Sequence, residues 1–276
     1  IVEALQRGEK ITIYGDYDVD GVTAVSILYL YLRDHGADVS YYIPNRIGEG
    51  YGVSASAVES LAAGGTKLII TVDTGITATE EVERARELGV DFVITDHHEC
   101  RAELPAAVAV VNPHRPDDTY PFKDLAGVGV IFKVMCALEH ALTQDPMIDC
   151  VRRLLESYAD LVAIGTIADV MPICGENKII AKLGLAMMEN TERPGLIALF
   201  RAVSGTQDDR AKAKKRSKVS SGFIGYTIAP RINAAGRIRS ASIAVELFLS
   251  NTVEAALPYA QELCDANKER QEEENH

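Results

Sequence analysis

The first 112 residues alternate between short apolar segments and longer amphipathic ones, and this alternation constrains the fold more than any other feature. Five segments are short, rich in Val and Ile and apolar at consecutive positions, namely 11–14, 39–43, 68–72, 92–95 and 108–111. Such segments are typical of strands that are buried on both faces. Helical patterns at 22–34, 54–63 and 78–88 lie between them. The alternation therefore predicts an α/β fold with a parallel sheet of five strands flanked by helices.

After residue 120 the pattern becomes mostly helical, with predicted helices at 132–140, 151–167, 178–188 and 196–203. The segment 205–220 is polar and basic, which indicates a loop. The segment APRINAAGR contains Pro230 and Gly236, two helix breakers, so we expect a loop there as well. A helical pattern from about residue 253 to the end loses its apolar face. Such a helix projects into solvent or lacks a partner.

The composition is that of a soluble globular protein of 276 residues, with 47% apolar and 25% charged residues. The formal charge is 28 − 40 = −12, which argues against nonspecific wrapping of nucleic acid but allows a local basic groove. Five cysteines without a CxxC spacing predict reduced thiols in a cytoplasmic protein. No apolar run approaches the ~20 residues of a membrane span. The chain begins with Ile1, so we expect a trimmed amino end.

Acidic residues and histidines follow three of the predicted strands. They are Asp16, Asp18 and Asp20 after the first strand, Asp73 after the third, and Asp96, His97 and His98 after the fourth. Because ligands of an open parallel sheet bind at the carboxyl ends of its strands, we expect these side chains to converge. Carboxylates this close repel each other unless cations intervene. Oxygen ligands with one or two imidazoles favour Mn²⁺, with Mg²⁺ as the alternative, and two ions ~3.5–4 Å apart would form a phosphoryl-transfer site.

Single acidic residues also have a purely structural interpretation. An Asp after a strand is commonly a helix cap or turn residue, which applies to Asp73 taken alone and more strongly to Asp16. Asp169 closes a long apolar helical pattern and is either a solvated helix end or a buried charge that needs a partner. Caps alone do not explain the adjacent histidines or the DxDxD spacing, in which Asp18 and Asp20 point to the same side.

Four segments resemble, in this order, the motifs of the DHH phosphoesterase family: GDYDVDGVTA, TVDTG, TDHHE and GTIADVMP. NPHR at 112–115, LAGVGV at 125–130 and APRINAAGR resemble the branch of that family formed by the bacterial single-strand-specific 5′→3′ exonucleases. The resemblance covers nearly the whole chain. It implies a set of metal ligands made of Asp18, Asp20, Asp73, His97 and Asp169, with Asp16 as an additional candidate. It also implies that Asp73 bridges two ions, that His98 contacts the scissile phosphate, and that Asp96 supports the histidines.

The APRINAAGR segment also supplies candidate substrate contacts. Arg231, Asn233 and Arg237 are assigned to substrate phosphate, because Arg binds phosphate oxygens bidentately and the resemblance points to the same segment. His114 is a further candidate, placed behind the metal ligands. Arg239 is by composition alone a surface charge. The basic segment 212–218 is either a solvated loop or a nucleic-acid contact.

Two departures from the family pattern refine the resemblance. Tyr14 stands where the pyrophosphatases and the short-oligonucleotide and cyclic-dinucleotide hydrolases of the family carry His, which favours the exonuclease branch. The GGGH motif of the family's second domain does not occur. We therefore expect a catalytic DHH domain at 1–204, completed at 205–250 by the basic loop and PRINAAGR. Residues 251–276 are expected to begin a long helix to a second, DHHA1-like domain that this chain lacks.

These observations predict a metal-dependent phosphodiesterase that digests single-stranded DNA from the 5′ end to mononucleotides in DNA repair and recombination. The polarity is implied by the resemblance alone. We expect two Mn²⁺ or Mg²⁺ ions and a cytoplasmic monomer, with single-strand-binding protein and a helicase as candidate partners. Two alternatives stay open: a phosphodiesterase of the same family for short oligonucleotides or cyclic dinucleotides, and a non-catalytic replication scaffold, which the occupied ligand positions disfavour.

Overall fold

The computed structural model describes residues 1–45, 52–205 and 219–274, so the basic segment 212–218 lies outside the described residues. The strands are β1 (Ile11–Tyr14), β2 (Val39–Tyr42), β3 (Leu68–Val72), β4 (Asp91–Thr95) and β5 (Ala109–Val111). The α-helices of these ranges are α1 (Val2–Gln6), α2 (Val19–Asp34), α3 (Ala55–Ala63), α4 (Thr79–Glu87), α5 (Gly127–Thr143), α6 (Met147–Ala168), α7 (Gly175–Glu189), α8 (Pro194–Ser204), α9 (Ser221–Phe223), α10 (Ala229–Ile238), α11 (Ser242–Leu249) and α12 (Val253–Glu274). None of them is both long enough and apolar enough to cross a membrane. All five cysteines are free.

The five strands form one parallel sheet, which confirms the fold class that the strand–helix alternation predicted. Their order is β2-β1-β3-β4-β5, so the chain moves from β1 to one edge and then crosses back to β3. The strand order reverses between β1 and β3. In open parallel sheets this switch point, at the carboxyl ends of the two strands, is where ligands bind.

The expectation that every strand is buried on both faces was wrong at the edges of the sheet. The strands β1 and β3 are fully buried, and β4 is buried after Asp91. In contrast, β2 is half-buried along its length and β5 is largely exposed. Both are edge strands with only one neighbour each, so less of the molecule covers them.

Helices cover both faces of the sheet and divide the core into two clusters. Ile11 and Ile13 pack in a large cluster with α2, α5 and α6, whereas Ile69 and Phe92 pack with α3 and α4 on the opposite face. Neighbouring strand residues point to opposite faces, which produces this division. The helices α6 and α7 pack together behind α2 and α5, and α8, α10, α11 and α12 pack on each other beside α2. The second half is therefore mostly helical, as predicted.

The APRINAAGR segment is helical, and our expectation of a loop was wrong. A π-helical segment, Ile224–Ile228, leads directly into α10. Pro230 lies in the first turn of α10, where a helix tolerates the missing N–H group. A Cβ atom on Gly236 would lie 2.6 Å from the carbonyl oxygen of Tyr17. Gly236 is thus used for close packing of α10 on the loop after β1.

Candidate metal centre

The loop after β1 fixes two of its acidic side chains through backbone hydrogen bonds. Asp18 is the N-cap of α2, and its Oδ1 accepts a hydrogen bond from the N–H of Gly21 at 2.9 Å. Asp16 is buried, and its Oδ1 accepts from the N–H of Tyr17 at 2.7 Å. The capping role considered for this loop therefore belongs to Asp18. Capping occupies one oxygen and leaves the carboxylate available for a cation.

Asp20 connects α2 to the amino end of α5. Its Oδ2 accepts from the N–H of Gly127 at 2.6 Å, and its Oδ1 accepts from the N–H of Val128 at 2.8 Å. The first N–H groups of a helix have no partner within the helix and attract negative charge. A Cβ atom on Gly127 would lie 2.5 Å from the Oδ1 of Asp73. Glycine at this position thus lets α5 approach both carboxylates.

Asp73 follows β3 in a left-handed backbone conformation, with a φ of 58°. Its side chain is buried, and its Oδ1 has no hydrogen-bond partner among the residues that the structure describes. A buried acceptor without a donor costs stability, and a buried carboxylate without a counter-charge costs more. Other ligand-type atoms lie next to this oxygen, so a cation bound among them would supply the missing counter-charge.

His97 directs its Nε2 atom at three carboxylates. The distances are 3.2 Å to Asp73 Oδ1, 3.6 Å to Asp169 Oδ2 and 3.8 Å to Asp20 Oδ2. A contact of the ring with the backbone of Leu125 acts to raise its pKa, but burial has the larger effect. Burial lowers the pKa of His97 to about 4, so the ring is neutral at neutral pH. A neutral ring whose Nε2 faces the carboxylates can offer the lone pair of that atom to a metal ion, as metal-binding histidines do.

The carboxyl groups of the site have raised pKa values. Burial, followed by the charge of Asp18, raises the pKa of Asp16 to about 7 and that of Asp169 to about 6. Burial and neighbouring carboxylates also raise the pKa of Asp20 and of Asp73 well above the ordinary value. The protein alone therefore does not stabilise all of these groups as anions. A cation would offset the repulsion and lower the pKa values.

Three groups of side chains bring their ligand atoms within 4.8 Å of one another. The groups are Asp16, Asp18 and Asp73; Asp20, His97 and Asp169; and Asp73, His97 and His98. Asp73 belongs to two of them, as expected of a carboxylate that bridges two ions. Within 1–45, 52–205 and 219–274, no Lys or Arg forms an ion pair with the five carboxylates. The oxygen-rich donor set, one neutral imidazole and the unpartnered Asp73 oxygen fit divalent cations such as Mn²⁺ or Mg²⁺.

The two adjacent histidines are not equivalent. His98 lies with its Nδ1 2.7 Å from Asp96 Oδ1, and its side chain is 45% exposed. The buried Asp96 also accepts hydrogen bonds from the N–H groups of His97 at 2.8 Å and Ile76 at 2.9 Å. The hydrogen bond to Asp96 raises the pKa of His98. Burial is the largest influence and would raise the pKa of Asp96, but the hydrogen bonds and charge of His98 and the bond from Ile76 together keep it below its ordinary value. His98 is thus held by Asp96 at the open side of the centre.

Asn112 is a structural member of the site that the sequence analysis missed. It is buried, its Nδ2 donates to the carbonyl oxygen of His98 at 2.8 Å, and its Oδ1 accepts from the N–H of His114 at 2.8 Å. It therefore joins the chain after β4 to the chain after β5. His114 itself lies with Nδ1 3.9 Å from Glu99. The position of Asn112 directly after the fifth predicted strand was the available signal.

The candidate substrate contacts of α10 occupy different environments. Asn233 accepts a hydrogen bond from the N–H of Val19 at 3.1 Å, so it supports the loop after β1. Arg231 donates to the carbonyl oxygen of Thr227 at 2.5 Å, and its Nε is buried with no hydrogen-bond partner in the described parts of the chain. Arg237 is exposed. The structure thus brings Asn233 to the acidic loop and leaves the roles of both arginines as predictions.

Two further sequence positions lie outside the ligand groups. The hydroxyl group of Tyr14 donates to the carbonyl oxygen of Gly52 and accepts from the N–H of Ser54, on the side of the sheet covered by α3 and α4. Arg239, considered a surface charge, lies 3.4 Å from each of two glutamates of α12, Glu262 and Glu269.

The comparisons with known proteins agree with this geometry. The model of the family described as DHH family, N-terminal domain, matches residues 10–166. The chain is 46% identical to the single-stranded-DNA-specific exonuclease RecJ of Bacillus subtilis (strain 168), covering 98% of this chain and 32% of that protein. It is 37% identical to RecJ of Escherichia coli (strain K12), covering 99% of this chain and 46% of that protein.

Solved structures show the same fold. A crystal structure of exonuclease RecJ bound to manganese matches with a TM-score of 0.84 and 37% identity, covering 98% of this chain and 64% of that one. RecJ of Thermus thermophilus in complex with Mn²⁺ matches with a TM-score of 0.80 and 35% identity, covering 98% of this chain and 36% of that one. The chain spans about a third to a half of the length of the two curated relatives.

Proposed function

Because the chain belongs to the DHH family, we propose that it is a metal-dependent phosphodiesterase that digests single-stranded DNA from the 5′ end and releases mononucleotides. One observation carries this proposal. Two groups of metal-ligand atoms share Asp73 at the switch point of a parallel sheet. Two-metal sites of this kind are typical of enzymes that cleave phosphodiester bonds. The names of the relatives supply the substrate and support the exonuclease activity over the alternatives.

The ligand set of the proposal follows the groups in the structure. Asp16, Asp18 and Asp73 would hold one ion, and Asp20, His97 and Asp169 would hold the other. Asp73 would be shared because its Oδ1 also lies 3.2 Å from Nε2 of His97. When bound, the ions supply positive charge and Lewis acidity at the scissile phosphate. Asp20 keeps its orientation through two N–H groups of α5, and burial keeps the ring of His97 neutral. The ligands are therefore placed before substrate binds, as electrostatic catalysis requires.

His98 is the residue that we assign to the phosphate itself. Asp96 fixes its Nδ1, so Nε2 is the atom assigned to a phosphate oxygen. Because the same contact raises the pKa of His98, the ring can donate a hydrogen bond and offset charge that develops in the transition state. Arg231, Arg237 and His114 remain the proposed contacts to neighbouring phosphates. Asn233 positions the metal-binding loop in the structure, and its role toward substrate is also a proposal.

The wider setting is part of the same proposal. We assign residues 1–204 to the catalytic DHH domain, 205–250 to its completion, and 251–276 to a connecting helix. The protein is proposed to act as a cytoplasmic monomer in DNA repair and recombination, with single-strand-binding protein and a helicase as partners. These assignments rest on the family resemblance, since the relatives are about two to three times longer than this chain.

Digestion of end-labelled strands tests the function directly. Single strands with a blocked 5′ end, a blocked 3′ end or no block are incubated with Mn²⁺, beside the matching duplexes. The proposal predicts mononucleotides from single strands with an open 5′ end, little product from duplexes, and no product from an Asp73→Ala variant that unfolds at a temperature close to that of the wild type. Faster turnover of dinucleotides or cyclic dinucleotides than of long strands would instead favour the short-oligonucleotide alternative.

A further inference from the structure

A short apolar loop directly follows a proposed metal ligand and is exposed. It comprises residues 170–174, between Asp169 at the end of α6 and the start of α7. The residue Val170 is 86% exposed, and Ile173 is 46% exposed. A single exposed apolar side chain is ordinary, but two of them in one short loop directly after a charged residue form a candidate binding surface. The loop is therefore the apolar edge of an otherwise carboxylate-rich centre.

Val170 has an unfavourable backbone conformation for its residue type. Its φ is 59°, in the left-handed region that β-branched residues rarely adopt. Val170 N–H bonds to the carbonyl of Ile167, and Met171 N–H bonds to that of Thr166, which is the Schellman pattern that ends many helices. Glycine is the favoured residue at this position because it has no Cβ atom. The chain keeps a valine there although its exposed side chain gains almost no burial in the fold.

Buried contacts hold the loop in place. Asn177 is fully buried, and its Nδ2 donates to the carbonyl oxygens of Asp124 at 2.5 Å and Pro172 at 3.1 Å. Gly175 has a φ of +46°, and a Cβ atom there would lie 2.6 Å from the ring of Phe122. These contacts thus fix the loop that carries Val170 and Ile173. A rigid surface loses little conformational entropy when a ligand binds to it.

We propose that Val170 and Ile173 form an apolar rim that packs against a base of single-stranded nucleic acid while the neighbouring phosphate lies at the metal centre. This inference rests on the proposed function. An apolar side chain does not attract the phosphate backbone, whereas the faces of all bases are apolar enough for a sequence-tolerant contact. In a duplex the bases are stacked and paired in the interior. The rim therefore contributes to selection of single strands.

The test replaces the valine by the residue that suits the backbone. In the Val170→Gly variant of the full-length protein, the melting temperature is expected to rise by roughly 2 °C because the left-handed strain is removed. Binding of a fluorescent single strand, measured by anisotropy with Ca²⁺ in place of Mn²⁺, is expected to weaken about fivefold. On an abasic strand of equal length, wild type and variant are expected to bind equally, because the base that the rim contacts is missing.

Gln144→Gly is the matched control. Gln144 also ends a helix in a left-handed conformation, with a φ of 60°, but it lies at the end of α5 and is exposed. This variant should show a similar small rise in melting temperature with unchanged DNA binding. A second variant, Ile173→Ser, should weaken binding of normal but not abasic strands and leave the melting temperature close to that of the wild type.

Three results would overturn the inference. Unchanged binding in both rim variants would show that Val170 and Ile173 do not contact a base. An equal loss on normal and abasic strands would indicate a change at the metal centre. A lower melting temperature of Val170→Gly would indicate that another part of the protein covers Val170. If the wild type neither binds nor digests single strands, the proposed function fails as well, so the two failures are distinguishable.

Discussion

At the scale of single residues, the clearest feature of the site is that the adjacent His97 and His98 have different surroundings and different proposed roles. The Nε2 of His97 lies among three carboxylates, whereas Nδ1 of the half-exposed His98 is held by Asp96. The family resemblance assigns metal to His97 and phosphate to His98. The proposed division is consistent with the structure, in which the two rings differ in burial, in hydrogen bonding and in the direction of their pKa shifts.

Replacing each histidine by alanine tests this division. The His98→Ala variant is expected to retain bound manganese and lose at least about 100-fold in turnover, because it removes a phosphate contact but no proposed principal ligand. The His97→Ala variant is expected to lose manganese and turnover together. Metal content by atomic absorption and turnover on single strands are measured on the same samples. Parallel loss of metal in both variants would make His98 a ligand and contradict the division.

The raised pKa of Asp16 predicts an unusual pH dependence for the metal-free protein. Because its pKa is about 7 when folded and near 3.8 when unfolded, the folded protein binds the additional proton. The stabilisation is present at low pH and is lost as the pH rises through about 7. The raised pKa of His98 also lowers stability as the pH rises above 6.5. His97 does not offset these two effects, because above pH 6.5 it is neutral in both the folded and the unfolded protein.

Thermal unfolding with a chelator should therefore show a melting temperature about 4 °C lower at pH 8.5 than at pH 6.5. Added Mn²⁺ should reverse the trend, because ionised carboxylates bind the ion more tightly. The control is Asp16→Asn, in which the metal-free pH dependence should flatten. A melting temperature that rises with pH in the absence of metal would contradict the electrostatic account of the centre.

At the scale of elements, the amino end of α5 is what brings the two halves of the chain together at the site. Gly127 and Val128 donate to Asp20, more than 100 residues earlier in the chain, and Gly127 touches Asp73. A helix that begins Ala126-Gly127-Val128-Gly129 has no side-chain cap of its own. Asp20 takes that role from a distant element. The same contact fixes α5 and orients a proposed ligand.

Two glycines in the first turn of α5 give a matched test of this contact. In Gly127→Ala the new Cβ would lie 2.5 Å from Asp73, so we expect a loss of about 2 kcal/mol in the free energy of unfolding and weaker manganese binding. In Gly129→Ala the nearest atom is a side-chain carbon of Leu125 at 3.3 Å, so we expect unchanged or slightly higher stability and normal metal binding. Urea unfolding and manganese titration compare the two. Equal effects of both substitutions would refute the close approach to Asp73.

The sequence predicted some of these elements more accurately than others, and the differences have physical reasons. Strands and helices of the first half have a clear period, so their positions agree with the structure within a few residues, apart from the short α1 and the earlier start of α2. Periodicity does not report the number of neighbours, which is why the exposure of β2 and β5 was missed. Nor does it report contacts over 100 residues, so the contact of α5 with Asp20 was visible only in three dimensions. The short α11 was missed as well.

The PRINAAGR segment shows a different limit. Pro230 and Gly236 are helix breakers in isolation, yet here Pro230 lies in a first helical turn and Gly236 is required by the carbonyl of Tyr17. Tertiary packing therefore outweighs local propensity. The proposed ligands could be grouped from the sequence because the strand ends of a parallel sheet share one edge, whereas Asn112 was missed because its role is a pair of backbone contacts.

At the scale of the whole molecule, the strand order determines where chemistry can occur. The order β2-β1-β3-β4-β5 places the loops after β1 and β3 side by side, and the loop after β4 next to them. The acidic side chains of all three loops meet there, together with Asp169 from the end of α6. The anionic substrate that we propose could approach such a carboxylate-rich centre only when cations neutralise it.

Anomalous diffraction at the manganese edge, from crystals of the protein soaked in Mn²⁺, tests the central claim most directly. The account predicts two anomalous peaks ~3.5–4 Å apart with Asp73 between them, one peak near Asp16 and Asp18 and the other near His97 and Asp169. Two peaks with these ligands would establish the shared carboxylate on which the proposed function depends. No peak at this edge of the sheet, or a single peak that Asp73 does not contact, would contradict it.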